Sequence, residues 1–132
     1  MGGITRWAEQ GSCYRLRRDG SLSHDDMNRM FFPTRENSAL DLADARAICA
    51  ECPVLAQCGT LALSRCADDA VYAGMAAANR KRMRLQVSRG LVLSPAFWEL
   101  HREEIRIQAA RRHAQHRDRM ALRASPSMAE AV

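Results

Sequence analysis

Four of the five cysteines are spaced as ligands for a metal centre. Three of them, Cys49, Cys52 and Cys58, fall within the segment CAECPVLAQC, and Cys13 lies well upstream. On a continuous helix, the i,i+3 spacing of Cys49 and Cys52 places both sulfurs on one face. A chain reversal can return Cys58 to that face, and Cys13 can close the site from the N-terminal arm. Four thiolates complete either a tetrahedral zinc site or a cubane iron-sulfur cluster.

The spacing does not by itself choose between the two kinds of centre. Zinc domains more often contain two C-x2-C pairs, whereas this chain has one. The Cys52-Pro53 step resembles the Cys-Pro that closes bacterial ferredoxin motifs. These features favour an iron-sulfur cluster, with a zinc site and unligated or disulfide-bonded thiols as alternatives.

The fifth cysteine, Cys66, is predicted to lie outside the site. It follows Cys58 by eight residues on the same predicted helix, which is about 12 Å along the helix axis. One cluster cannot easily use both sulfurs. We interpret Cys66 as a small, partly buried apolar residue, with a redox or resolving thiol as the alternative.

Helix signals indicate the elements that must position these sulfurs. Ser94-Pro95 has the form of a cap followed by proline at the first helical position, and Pro53 suits the start of another helix. Asp25 and Asp26 can open a short helix within a first forty residues that otherwise look irregular. The remaining predicted elements are helices over 39–51, 53–67, 79–89 and 95–123 and a tight turn over 71–74. No strand pattern is present, so the predicted fold class is all-α.

Composition indicates a small fold with a thin apolar core. Of the 132 residues, 47% are hydrophobic, but only 5% are aromatic. Small domains short of apolar area commonly use a metal or disulfides for stability. The chain has no apolar leader and no apolar run of about 18 residues, which predicts a cytoplasmic protein without a membrane partner. It also has no catalytic triad, phosphate loop or paired-carboxylate signature, which predicts a non-enzyme without a small-molecule substrate.

Positive charge is concentrated in the second half of the chain. Residues 80–123 contain 12 arginines and lysines against 4 acids, whereas residues 1–79 contain 8 arginines against 10 acids. The segment NRKRMRLQVSRG, residues 79–90, is predicted to bind DNA phosphates, and a solvated helix face is the alternative. The candidate DNA contacts are Arg80, Lys81, Arg82, Arg84 and Arg89. The histidines of the last predicted helix, His101, His113 and His116, are interpreted as solvated. The apolar residues of this helix are expected to pack on the cysteine domain, with a partner helix or RNA polymerase as the alternatives; they are Phe97, Trp98, Leu100 and Ile107.

The order of several motifs resembles the WhiB-like family of actinobacterial and actinophage transcriptional regulators. Trp7 precedes Cys13, and an FFP triplet at 31–33 follows. An alanine-rich helix then leads into C-x2-C-P-V-x4-C, a V-aromatic-x-G turn and a basic tail. The resemblance covers residues 7–84.

The resemblance implies a cofactor and two partners. It implies that Cys13, Cys49, Cys52 and Cys58 ligate a [4Fe-4S] cluster sensitive to oxygen and nitric oxide. It further implies that the domain binds the C-terminal region of the primary sigma factor of RNA polymerase, while the basic part contacts promoter DNA. By position, the sigma-factor contacts are Trp7, Phe31, Phe32 and Tyr72. A zinc-stabilised binding module is an alternative, and so is a thiol-disulfide reductase that uses Cys49 and Cys52, although the βαβ pattern of thioredoxin-like enzymes is absent.

One departure from the family pattern lies in the turn. The family has G-V/I-W-G-G, whereas this chain has Ala70 to Gly74, with Ala70 and Ala73 in place of two glycines. Alanine adopts a positive φ only at a cost. The sequence therefore leaves open the shape of the turn and the affinity for the usual sigma factor.

Three segments are predicted. Residues 1–78 form the cluster domain, residues 79–123 form a basic, arginine-rich helical region, and residues 124–132 form a disordered tail.

Overall fold

The fold is built from helices, as the sequence predicts. A computed structural model describes residues 7–32 and 39–124. Within these ranges it contains six helices and no strand. The predicted tail lies almost wholly outside the described residues. The helices are α1 (Ser12–Arg18), α2 (His24–Phe31), α3 (Ala39–Ala50), α4 (Leu55–Arg65), α5 (Ala77–Ser88) and α6 (Pro95–Arg123).

Two of the helices begin at serine caps. The Ser23 hydroxyl accepts the Asp26 N–H (3.0 Å), and the Asp26 carboxylate accepts the Ser23 N–H (3.1 Å), which together form a capping box at α2. The Ser94 hydroxyl accepts the Phe97 N–H (3.1 Å) at the start of α6, where Pro95 is the first helical residue. The predicted start at Ser94-Pro95 is confirmed. The short helix predicted to open at Asp25 and Asp26 is also present, but its cap, Ser23, was not predicted.

The sequence analysis missed one helix and misplaced the start of another. Helix α1 lies in the part expected to be irregular, and its cap residue, Gly11, has no side chain that could signal a helix start. Helix α4 begins at Leu55 rather than at Pro53. The N–H of Cys52 donates to the carbonyl of Cys49 (3.0 Å), and the N–H of Leu55 donates to that of Cys52 (3.3 Å), so residues 52–54 form a turn between two helices.

The long helix α6 runs antiparallel to α3 and packs closely along it. Near the start of α6, the Arg102 guanidinium donates to the carbonyls of Ala50 (2.7 Å) and Cys52 (2.8 Å), at the end of α3. Farther along, the His113 ring nitrogen Nε2 contacts the carboxylate of Asp44 (2.8 Å). The expectation that α6 packs on the cysteine-bearing unit is confirmed for Trp98 and Phe97, whereas Leu100 and Ile107 are exposed.

An aromatic ring of α6 fits against a glycine of α4. Trp98 is buried, and its ring lies directly over Gly59. A Cβ atom added at Gly59 would come within 2.5 Å of the ring carbon Cζ3 of Trp98. The absence of a side chain at this position therefore sets how closely α6 approaches α4.

Replacement of this glycine tests the contact. In a solvated helix, glycine to alanine stabilises by about 1 kcal/mol. Here the methyl group would collide with a rigid ring, so Gly59→Ala is expected to lower the free energy of unfolding by about 2 kcal/mol, the cost of an overpacked core. Urea unfolding followed by circular dichroism measures this change.

Thr60→Ala is the control, since Thr60 is the exposed neighbour of Gly59 on the same helix. It should be neutral or slightly stabilising. A Gly59→Ala protein that is more stable than the parent would show that Trp98 does not pack on α4.

Candidate metal centre

Four cysteines line one cavity. Cys13 comes from the first turn of α1, Cys49 from the end of α3, Cys52 from the turn that follows, and Cys58 from the first turns of α4. The cavity has a volume of about 180 Å³, and Cys66 is not among its lining residues. The other walls are apolar or aromatic and consist of Met27, Phe31, Phe32, Ile48, Leu55, Ala70, Val71, Tyr72 and Ala73.

The apolar walls disfavour bare thiolates. Burial raises the pKa of Cys13 and of Cys49, and it raises the pKa of Cys58 to about 12. Proximity of the cysteines to one another raises these pKa values further, because each negative charge repels the next. Cations that bind the sulfurs would offset both costs, since metal ligation deprotonates a thiol outright.

Backbone N–H groups act on the cysteine sulfurs. The N–H of Ser12 donates to the Cys52 sulfur (3.5 Å). The backbone N–H groups of Gly74, Ala73 and Tyr14 act to lower the pKa of Cys49, Cys58 and Cys13, respectively. Such donors stabilise negative charge on sulfur and tune the potential of ligated clusters.

The turn that supplies two of these donors keeps a left-handed conformation despite its alanine. Ala73 has φ +52° and Gly74 has φ +72°. The N–H of Met75 donates to the carbonyl of Tyr72 (2.8 Å), and the N–H of Tyr72 donates back (3.1 Å). Positive φ at both central residues is the pattern of a type I′ turn. Alanine in place of the family's glycine at position 73 therefore leaves the turn intact, and the positive φ of Ala73 costs about 1 kcal/mol.

Side chains from three helices hold the carbonyl groups around this turn. Arg46 of α3 donates to Gly74 (3.0 Å), and His101 of α6 lies 2.8 Å from the carbonyl of Ala73. Arg80 of α5 donates to Met75 (2.9 Å), Ala70 (2.5 Å) and Asp68. The prediction that His101 is solvated was wrong: it is buried, and burial lowers its pKa, which keeps the ring neutral and able to donate.

The four thiols line one cavity of about 180 Å³. In a tetrahedral zinc site with Zn–S distances of about 2.3 Å, neighbouring sulfurs lie about 3.8 Å apart. Among the described residues, no group of three or more Cys, His, Asp or Glu side chains is arranged so that it could hold a metal ion. The donors are all sulfur, and their cavity is larger than one ion needs, which fits a polynuclear cluster.

One family model matches the part of the chain that contains the four cysteines. The family model described as "Transcription factor WhiB" matches residues 7–83. The chain belongs to the WhiB family. The match ends within α5, so α6 lies beyond it. Comparisons with curated proteins and with solved structures gave no match.

Two of the predicted DNA contacts are engaged inside this WhiB protein. Arg80 is 1% exposed, and its guanidinium binds three carbonyls around the turn. Arg84 donates to the carbonyls of Leu63 (2.8 Å), Ala62 (3.1 Å) and Cys66, at the C-terminal end of α4. Arg84 thus supplies donors at the end of α4, where a helix leaves backbone oxygens without a helical partner, whereas the carbonyls that Arg80 binds lie in the loop and turn that follow. As placed, Arg80 cannot reach DNA, which corrects the prediction for that residue. Lys81, Arg82 and Arg89 are exposed.

The predicted sigma-factor residues occupy different environments. Phe32 is 54% exposed at the cavity, and Tyr72 is half-buried beside it, with its hydroxyl donating to Asp68 (2.9 Å). Phe31 is 5% exposed and belongs to the core, so as placed it is not available to a partner. Trp7 lies elsewhere, in a groove of about 490 Å³ that Leu61 and Trp98 also line.

No helix in the described part of the chain combines the length and apolar character that crossing a bilayer requires.

The internal role of Arg80 can be tested against a neighbour on the same helix. Arg80→Met leaves buried carbonyls without donors, so we expect the free energy of unfolding to fall by about 3 kcal/mol. Arg82→Met removes the same charge from an exposed site and should change it by less than about 0.5 kcal/mol. Urea unfolding of both variants measures the difference. Equal, small effects would show that Arg80 is not a structural residue.

Proposed function

We propose that this protein is a cytoplasmic transcriptional regulator that holds a redox- and nitric-oxide-sensitive [4Fe-4S] cluster. It binds the C-terminal region of the primary sigma factor of RNA polymerase and contacts promoter DNA through its basic C-terminal part. The observation that carries the proposal is the cavity: Cys13, Cys49, Cys52 and Cys58 meet there from separate elements, whereas Cys66 is left out.

The four cysteines are the proposed cluster ligands. The size of the cavity that they line favours a cluster over one zinc ion. When bound, the cluster would supply a centre that reacts with oxygen and nitric oxide. The apolar walls limit the access of water, and the N–H groups of Ser12, Ala73 and Gly74 stabilise charge on the sulfurs.

The sigma-factor contact is proposed for the aromatic rim of the cavity. Phe32 offers an exposed apolar ring, and Tyr72 offers an aromatic ring with a polar end, a combination suited to protein interfaces. Phe31 supports this rim from the core. Because the same residues line the cavity, a change at the cysteines would alter the surface that the sigma factor meets.

For DNA, the exposed residues of the basic segment are the proposed contacts. Lys81, Arg82 and Arg89 can each neutralise a phosphate, which gives salt-sensitive affinity that depends little on base sequence. Arg80 and Arg84 would act indirectly, by holding α5 against the turn and α4.

The thiol-disulfide reductase alternative is not favoured. A reactive thiol needs a lowered pKa and some exposure. Cys49 is buried, and burial raises its pKa. We therefore propose a non-enzymatic role.

Substitution of single cysteines tests the ligand set. Anaerobically purified protein should be brown, and its visible absorption should bleach with nitric oxide. Cys13→Ser, Cys49→Ser, Cys52→Ser and Cys58→Ser should each abolish most of that absorption, because each removes a ligand. Visible spectra and iron content of the purified variants measure this loss.

Cys66→Ser is the matched control, since it removes a thiol outside the cavity, and it should retain the parental spectrum. A colourless parent protein with stoichiometric zinc would refute the cluster. Loss of the spectrum in Cys66→Ser alone would refute the assigned ligands.

The rim can be tested by capture of the sigma factor. A Phe32→Ala, Tyr72→Ala variant should bind the C-terminal region of the primary sigma factor roughly tenfold more weakly or worse, because interface aromatics carry much of the binding energy. Surface plasmon resonance with cluster-loaded protein measures the affinity.

Leu100→Ala is the control for this measurement. Leu100 is 74% exposed on α6 and does not line the cysteine cavity. Its substitution should leave the affinity unchanged. Undiminished binding by the rim variant, or equal weakening by Leu100→Ala, would exclude the rim as the contact.

A further inference from the structure

The face of α6 that points away from the packed body of the protein carries a line of apolar residues. The opposite face is marked by the buried residues of this helix, which are Trp98, His101, Ile105 and Ala109. On the outer face, apolar residues recur at intervals of three, four and seven positions, the pattern of a helix that pairs with another helix. These residues form what we call the α6 seam, and they are Ala96, Leu100, Ile107, Ala110 and Ala114.

The α6 seam is open to solvent at its two large side chains. Leu100 is 74% exposed, and Ile107 is 42% exposed. Leu100 borders a cavity between α5 and α6, but the cavity walls leave most of its side chain uncovered. The seam is about 27 Å long, and its three alanines allow a second helix to approach closely, since the distance between packed helices depends on the side chains at the contact.

One charged residue has the spacing of the seam. Glu103 lies between Leu100 and Ile107, and its carboxylate pairs with Arg106 of the same helix (2.5 Å). A single polar residue in the contact line of two helices fixes their register at some cost in stability. The apolar part of the seam is therefore centred on Ile107 and Ala110.

Charge is distributed unevenly along α6. From 99 to 104 the helix has three acids and one arginine, whereas from 111 to 123 it has five arginines and one acid. The start of the helix is therefore acidic, and its end is basic.

Two opposite charges, Glu104 and Arg111, lie beside the seam on the same side of the helix. They are seven residues apart, which is about 10.5 Å along the axis, so they do not face each other within one helix. Neither has an oppositely charged residue three or four positions away in the sequence. Glu104 accepts a hydrogen bond from Gln108 (3.3 Å) and acts on Arg46 through space. Both charges can therefore gain from a partner outside the helix.

We propose that the α6 seam binds the α6 seam of a second copy of this chain, with the two helices antiparallel. A two-fold axis between Ile107 and Ala110 places Ile107 of each copy on Ala110 of the other. The same axis brings Glu104 of each copy beside Arg111 of the other, so that two ion pairs form. A parallel pair would instead bring the two acidic starts together and the two basic ends together. The inference goes beyond the proposed function and does not depend on it.

The pairing would also cover the part of α6 that gains least from its own chain. From 115 to 124, every residue is exposed, and a helix without packing is marginally stable in water. In the antiparallel pair, this basic end lies along the acidic start of α6 in the other copy. Charge complementarity thus extends over the length of the helix.

Sedimentation equilibrium of the full-length protein measures the association. The protein is purified anaerobically and kept with a reductant, which prevents disulfide cross-links between copies. The weight-average mass should rise from that of a monomer toward that of a dimer as the protein concentration is raised. A mass that stays monomeric up to about 1 mM protein would overturn the proposal.

Charge reversal tests the antiparallel arrangement. Glu104→Arg and Arg111→Glu should each weaken the dimer about tenfold or more, because each turns two attractive contacts into two repulsive ones. The double variant should restore the parental association, and so should an equal mixture of the two single variants. The single changes alter the net charge in opposite directions, so an effect of net charge alone would not weaken both. Single variants that associate as the parent does, or a double variant as weak as either, would refute the arrangement.

A second pair of variants tests the apolar contact. Ile107→Gln should weaken the dimer at least tenfold, because it places a polar group beside the two-fold axis. Leu85→Gln is the matched control, since Leu85 is 50% exposed on α5, away from the seam. It should associate as the parent does. Equal effects of the two changes would exclude the α6 seam as the interface.

Discussion

The turn from Tyr72 to Met75 is the constraint on which the rest of the structure depends. It has two faces with opposite polarity. Its N–H groups, from Ala73 and Gly74, point into the cavity at the sulfurs of Cys58 and Cys49. The carbonyls of the same two residues point outward and contact Arg46 and His101. A left-handed turn is needed for this division, because positive φ at consecutive residues turns successive N–H groups to one side. The cost of positive φ at Ala73 is offset by these contacts on both faces.

Arginine side chains connect the helices of this chain, as buried apolar side chains do in larger domains. With few aromatic residues, the molecule has little area to bury, and it connects its elements instead by guanidinium groups bound to carbonyls. Arg80 joins α5 to the turn, Arg84 joins α5 to the end of α4, and Arg102 joins α6 to the end of α3. Hydrogen bonds from a charged donor contribute about 1.5–3 kcal/mol each. The formal charge of a segment therefore overstates the charge on its surface, and α5 shows this most clearly.

The sequence was informative where the cause of structure is local, and much less so where the cause is tertiary. The cap at Ser94 predicts the start of α6, because the bonded groups lie within three residues of each other. Asp25 and Asp26 predict α2, because acidic residues favour the first turn of a helix. Helix α1 was missed, since Gly11 carries no capping side chain. The grouping of four cysteines without Cys66 follows from helical spacing and family resemblance. In contrast, nothing in the run from Asn79 to Gly90 separates buried Arg80 from exposed Arg82. That difference depends on carbonyls at 68, 70 and 75, whose positions only the assembled fold defines.

Helix α6, which lies beyond the family match, is hydrogen-bonded to two segments that carry or contact the cysteines. His101 contacts the carbonyl of Ala73, whose own N–H faces Cys58. Arg102 binds the carbonyls of Ala50, the last residue of α3, and Cys52, the first residue of the turn between α3 and α4. If the cavity walls move, these hydrogen bonds must break or α6 must move with them. The cysteine cavity and α6 are thus joined through backbone carbonyls.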